Sequence, residues 1–213
     1  MPDLDALQQA DASVAKLFET PVVGLAQRLV GSFLVRRTRL GWVGGRIVET
    51  EAYRGPEDQA AHSRNGRRTP RTEVMFGPAG HAYMFFVYGM HWNFNVVAGP
   101  RGRPHAVLIR ALEPLWGLQQ MSRRRGLEPE DAALTNGPGK LCQALGLDGS
   151  HYGCDLSEGE LRVLPGAKVR VSRSPRVGID YAGEWAARPW RFCDPASRYL
   201  SRAPRERGRL GRT

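Results

Sequence analysis

Glu51 lies in the apolar run Arg46 to Tyr53, with the Tyr53 phenol two residues further on. Downstream come His62 and a block dense in arginine and threonine, Arg64 to Thr72, which holds Arg67, Thr69 and Arg71. An aromatic segment from Tyr83 to Asn95 follows and turns at Gly89. A carboxylate can act as a general base when a partly dry pocket and an arginine partner set its pKa and orientation. Flat rings hold flat ligands, and clustered arginines hold phosphates. Together these residues point to chemistry on a flat base attached to a polyanion.

In a regular strand Ile47, Glu49, Glu51 and Tyr53 share one face, and Val48, Thr50 and Ala52 the other. Two glutamates on one side of a buried-looking strand leave two readings open. Both are solvated or salt-bridged surface acids, or one is a general base with Tyr53 as a flat wall beside it. In Tyr83 to His91, Phe86 reads as core, whereas Tyr88 and Met90 flank the glycine where the chain reverses and so project. A projecting side chain on a tight turn can wedge between base pairs from the minor groove. Such a wedge offsets the cost of rotating a base out of the helix, roughly a few kcal/mol.

The chain of 213 residues carries a formal charge of +10, nearly all of the excess being arginine. Arg64, Arg67, Arg68 and Arg71 form one cluster, Arg123 to Arg125 a second, and six arginines from Arg198 to Arg212 face only Glu206 in the tail. This balance favours a polyanionic partner, nucleic acid before an anionic membrane, since no segment is a basic amphipathic helix with a broad apolar face. Three cysteines without C-x-x-C spacing indicate reduced thiols, and none of the five histidines sits in a ligand cluster, so neither a metal nor another cofactor is expected. With no charged, apolar leader and no membrane-length apolar run, the expectation is a soluble cytoplasmic monomer.

The elements that must position these residues can be sketched from periodicity and breakers. Residues 1–12 read as a loose N-terminus and 201–213 as a basic tail. Thr20 reads as the cap of a helix from Pro21 to Gly31. Phe33 to Arg37 and Arg46 to Tyr53 read as strands around a glycine-rich turn, Gly41 to Gly45. Glu57 to Pro78 is a long loop, where binding residues concentrate. Tyr83 to Val87 and Asn93 to Val97 form a hairpin. Ala106 to Leu112 is a strand broken by Pro114, Leu115 to Arg124 a helix, and Gly139 to Leu145 a helix closed by Gly146. Leu161 to Val163 and Val169 to Val171 are short strands. The sum is one mixed α/β (α+β) domain with a curved, largely antiparallel sheet and peripheral helices.

Ile47-Val48-Glu49-Thr50-Glu51-Ala52-Tyr53, Gly55-Pro56 with Asp58, Ala61-His62-Ser63, Met75-Phe76, Tyr88-Gly89-Met90, Arg110-Ala111-Leu112-Glu113-Pro114, Gly137-Pro138-Gly139-Lys140-Leu141 and Arg176-Val177-Gly178 occur in this order. This ordered set resembles the mammalian-type alkyladenine (3-methylpurine) DNA glycosylases, from about Leu17 to Phe192. The resemblance implies that Glu51 positions and deprotonates the attacking water, with Arg110 and the Val177 carbonyl helping to hold it. It implies that Tyr53 stacks on one face of a flipped base, with His62 and Phe85 against the other and Asn95 at the pocket floor. Tyr88 would be the wedge, with Met90 beside it, and Arg67, Thr69, Arg71 and Lys140 would meet the DNA backbone. The implied partner is double-stranded DNA containing damaged purines, and no metal or Schiff base is required.

Position 85 departs from the best-known mammalian members, which carry tyrosine there, so stacking survives and a hydroxyl hydrogen bond is lost. Gly137 to Lys140 does not complete a phosphate loop, because Leu141 follows the lysine and Leu134 occupies the first glycine position. A non-catalytic nucleic-acid binder on the same fold is the alternative, and the presence of Glu51, Arg110 and Asn95 speaks against it. An O-glycosidase using Glu49 and Glu51 is disfavoured. Same-face neighbours on a strand stand roughly 7 Å apart, against about 5–5.5 Å for a retaining pair.

Overall fold

Val22, Leu25, Ala26 and Leu29 recur at helical spacing and all are buried, so the segment coils and lays one face on a sheet. The computed structural model describes residues 11–203. In chain order α1 (Asp11–Phe18) and α2 (Val22–Leu29) precede β1 (Phe33–Thr38) and β2 (Gly41–Arg54). After a long loop come β3 (Ala82–Val87), β4 (His91–Ala98) and β5 (His105–Trp116), then α3 (Leu118–Arg125) and α4 (Pro138–Leu145). Three short strands follow: β6 (Leu161–Leu164), β7 (Ser172–Ser174) and β8 (Arg191–Cys193). The sheet order is β3-β4-β5-β2-β1-β6, with β8 pairing both β2 and β7, and every described pairing is antiparallel.

The helices cover one face. Leu25 and Leu29 of α2 and Leu141 and Leu145 of α4 pack with Ile47, Phe94, Val107, Ile109 and Leu112 in one buried core. The opposite face holds most of the buried charge. This is the mixed, antiparallel single domain expected from the sequence, and the loop from Glu57 to Pro78 is observed, holding only single 3-10 turns.

Several boundaries fall elsewhere, each for a physical reason. Gly41 to Gly45 do not form the turn; they are the start of β2, and the chain reverses at Arg39 and Leu40. A Cβ on Gly44 would overlap the Leu34 carbonyl and one on Gly45 the Glu113 carbonyl, so the glycines serve close strand approach. Pro114 does not end β5, because it sits at a register shift opposite Gly45, where no ladder N–H is needed. The strand therefore runs to Trp116, whose ring meets Phe33 edge-on at 5.4 Å, and α3 starts only after the left-handed Gly117. Val169 to Val171 is not a strand; Ser172–Ser174 pairs with β8 instead. Pro21 rather than Thr20 occupies the cap position of α2, and no side chain caps it. Of the residues read as a loose N-terminus, Asp11 and Ala12 open α1, and 1–10 lie outside the described residues, as do 204–213 of the basic tail.

Candidate active site

Strand register brings the site together as a row across the sheet. Tyr83 on β3 faces Asn95 on β4, Asn95 faces Leu108 on β5, Leu108 faces Glu51 on β2, and Glu51 faces Arg191 on β8. Residues paired in this way point to the same face, so a sequence span of more than one hundred residues converges on one line.

Two register shifts decide how the charges meet. Ile47 pairs with Leu112 and Glu49 with Ala111, leaving Val48 extra on β2; Glu49 and Thr50 then pair with Ala111 and Ile109, leaving Arg110 extra on β5. Each bulge reverses the face alternation locally. Ile47 thus belongs to the helix-side core and not to the face of Glu49 and Glu51, while Val48 packs with Ala111 and Tyr199 on the site side. The same bulge aims Arg110 between the two glutamates.

Glu51 is fully buried, and its three partners among the described residues are all donors. Val177 N–H donates to Oε1 at 2.7 Å, Tyr53 hydroxyl to Oε2 at 2.8 Å, and Arg110 Nη1 to Oε2 at 3.3 Å. A carboxylate offers about four acceptor positions, so one remains, on Oε1. Glu49 is a different kind of acid. Arg110 Nε (3.0 Å), Arg191 Nε (2.7 Å) and the Ser201 hydroxyl (2.7 Å) donate to its Oε1, and Ser201 N–H donates to Oε2 at 2.6 Å. Burial alone would raise the Glu49 pKa, but Arg110 and Arg191 outweigh it and hold the carboxyl below its ordinary range. Burial likewise works to lower Arg110, and Glu51 and Glu49 together reverse this and raise it. Glu49 therefore anchors the arginine that touches Glu51.

A cavity of about 510 Å³ opens over this row, lined by Tyr53, His62, Phe85, Asn95, Arg110 and Val177 among others. That is the size of a small-ligand site. The far face of the Tyr53 ring rests on Arg176, whose guanidinium carbon lies 4.7 Å from the ring centroid. Arg176 is itself clamped by both carboxylate oxygens of buried Asp58, at 2.5 and 2.9 Å, so its charge is neutralised behind the ring. His62 and Phe85 do not make one flat wall, since their rings meet edge-to-face at 4.5 Å and 90°. His62 Nδ1 and the Tyr83 hydroxyl lie 2.9 Å apart. Burial first, then Arg71, Arg64 and Arg67, push the His62 pKa down to about 4, leaving a neutral imidazole at the cavity. Asn95 is 3% exposed, and its side-chain Nδ2 donates to the Tyr83 carbonyl at 3.0 Å, which fixes the amide at the cavity wall.

The β3–β4 turn carries the two projecting residues. Tyr88 (φ 53°) and Gly89 (φ 67°) are both left-handed, and Met90 N–H closes the turn on the Val87 carbonyl at 3.1 Å. A left-handed tyrosine is a strained conformation, and this one is 86% exposed, with Met90 at 70%. Arg67 is exposed, and its charge is felt by His62. Thr69 is tied into its loop through Thr72, and Arg71, itself exposed, lays its guanidinium 5.2 Å from the Phe85 centroid and against the His62 ring. Lys140 lines the cavity from the first turn of α4, with Nζ 2.8 Å from Asn136 Oδ1. Two arginines of the second cluster are committed to structure: Arg124 donates to the Ala144 carbonyl, at the C-terminus of α4, and Arg125 to Gln143, while Arg123 is exposed. Sequence reasoning missed Tyr83, the Asp58–Arg176 clamp, Arg191 and Ser201. Asp58, Arg176 and Tyr83 stood in segments the sequence singled out, without a role, whereas nothing pointed to Arg191 or Ser201.

A model of the methylpurine-DNA glycosylase family matches residues 16–198. A Desulfitobacterium hafniense (strain Y51) protein is 48% identical over 186 residues, covering 83% of this chain and 92% of the relative. A Myxococcus xanthus (strain DK1622) protein is 46% identical, covering 88% and 92%, and a Bacillus cereus (strain ATCC 14579) protein 44% identical, covering 82% and 91%. All three bear the name "Putative 3-methyladenine DNA glycosylase". The chain belongs to the methylpurine-DNA glycosylase family, and so to the enzymes that hydrolyse N-glycosidic bonds in DNA. The relatives named here are bacterial, so the mammalian-type part of the resemblance has no support from them.

Proposed function

We propose that the protein removes alkylated or deaminated purines, 3-methyladenine among them, from double-stranded DNA as a monomer in the cytoplasm. The damaged nucleotide is flipped into the cavity while Tyr88, with Met90 beside it, fills the gap left in the stack. The base lies against Tyr53, with His62 and Phe85 on its other side and Asn95 below it. Arg67, Thr69, Arg71 and Lys140 meet the phosphates.

Glu51 accepts a proton from a water that Arg110 and the Val177 carbonyl help to hold, and the water oxygen forms the new bond to C1′ as the N-glycosidic bond breaks. The bonding electrons leave with the base. A base alkylated at a ring nitrogen is cationic beforehand and departs neutral. The buried carboxylate also opposes the positive charge that builds on the sugar. The neutral state of His62 avoids repelling a cationic lesion, and the rings add a cation–π attraction of about 0.5–2 kcal/mol.

The observation that carries this reading is the buried Glu51, held by three donors with one acceptor position free, beside an aromatic-walled cavity. The test is incubation with duplexes containing 3-methyladenine, 1,N6-ethenoadenine or hypoxanthine, followed by chromatography for free base. Release of free base with the strand left uncut is expected. No release from any of the three would return the protein to the non-catalytic DNA-binding alternative.

A further inference from the structure

The C-terminal segment 199–202, whose last two residues open the stretch read as a basic tail, is built into the charge cluster, although it lies beyond the residues matched by the family model. Tyr199 is buried on Val48, the extra residue of the first bulge, and on Ala111, which pairs with Glu49 between the two bulges, and Leu200 packs with them. Ser201 then closes over Glu49, donating its N–H to Oε2 at 2.6 Å and its hydroxyl to Oε1 at 2.7 Å. The same hydroxyl oxygen accepts from Arg110 Nε at 3.3 Å and Nη2 at 3.2 Å. The next residue, Arg202, gives its carbonyl to Arg191 Nη2 and lines the cavity. Among the described residues Arg110 has three partners, Glu49, Glu51 and Ser201, and only Ser201 comes from outside the central sheet.

We infer that Ser201 is a positioning residue: it locks Glu49 and Arg110 together, and so fixes the Arg110 guanidinium against Glu51. The segment 199–202 is then a latch on the catalytic centre, distinct from the arginines after it, which add charge toward DNA. The inference rests on the reading of Glu51 and Arg110 as the catalytic pair.

The test compares full-length protein, Ser201→Ala, Ser201→Thr, a truncation ending at Leu200 and one ending at Ala203. Base release from a hypoxanthine duplex is measured in single turnover with enzyme in saturating excess. Ser201→Ala should slow the saturated rate about three- to tenfold, the weight of a hydrogen bond, and the truncation at Leu200 should slow it further. Ser201→Thr, which keeps the hydroxyl, should restore the rate, and the truncation at Ala203 should raise the DNA concentration needed while keeping the saturated rate. Saturated rates for Ser201→Ala and the Leu200 truncation equal to that of the full chain would overturn the latch, as would a Ser201→Thr rate no faster than that of Ser201→Ala. Glu51→Gln run alongside separates the two ideas. Unimpaired release by Glu51→Gln refutes the catalytic reading, whereas an inactive Glu51→Gln beside an unaffected Ser201→Ala refutes the latch alone.

Discussion

Asn95 illustrates how one side chain can set a substrate range. Its amide is pinned to the Tyr83 carbonyl at 3.0 Å, so it cannot swing aside for a bulkier base. Guanine differs from adenine and hypoxanthine by an amino group at C2. Against a fixed side chain that group clashes or is buried unpaired, costing about 1–3 kcal/mol. Asn95→Ala and Asn95→Ser should therefore release more guanine from undamaged DNA while damaged bases still leave. Unchanged guanine release by a folded, active variant would return Asn95 to a purely structural role between two strands. His62 makes a second prediction, on pH. Its pKa falls from an ordinary 6.5 to about 4 in the folded protein. The unfolded chain thus takes up a proton that the folded protein refuses over this window. The stability linked to neutral His62 is complete above pH 6.5 and is lost as pH falls toward 4. Urea midpoints across that range should fall less steeply for His62→Gln than for the parent, and parallel curves would contradict the assignment.

At the scale of elements, the bulges and the buried ion pairs carry the geometry. Asp58 and Arg176 are both fully buried, and their pair backs Tyr53 and holds the loop that delivers Val177 N–H to Glu51. Removing one partner of such a pair costs about 3–5 kcal/mol. Asp58→Ala should lower stability by that amount and slow base release; a change below about 1 kcal/mol would show that the clamp is dispensable. Much of this element scale was legible beforehand. Glu51 and Tyr53 stood out by residue type on one strand, and Tyr88-Gly89-Met90 announced its turn because a glycine must supply the left-handed position. Arg110, Val177 and Asn95 were reachable only through the family resemblance, since no local pattern links them to Glu51. The paired bulges were not legible at all. An extra residue on each of β2 and β5 is a property of pairing between segments about sixty residues apart, and it moved Ile47 to the other face. The glycines of β2 misled for a related reason, as local reading treats glycine as a turn residue when it can equally serve close approach of strands. Ser201 meets Glu49 across an even longer separation.

For the whole molecule, the +10 charge and the exposed arginines around the cavity predict strong salt dependence. The log–log slope of binding against salt should be near −0.9 per phosphate neutralised, and a flat response would remove the electrostatic contribution. Activity should persist in EDTA, because the proposed chemistry uses a carboxylate and water; loss of activity that added metal restores would contradict it. Binding and chemistry are then separable properties, one spread over the surface and one concentrated on Glu51. Glu51→Gln measures that separation most directly, with base release in single turnover and lesion-duplex affinity determined on the same preparation. Base release should fall by about 10²–10⁴-fold, the usual weight of a positioned general base, with affinity for the lesion duplex retained. Glu49→Gln should lose stability first, because two buried arginines lose their anchor, and should lose less of the saturated rate. Base release by Glu51→Gln near the parental rate, or an equal loss from both variants, would contradict the assignment of the water-activating role to Glu51.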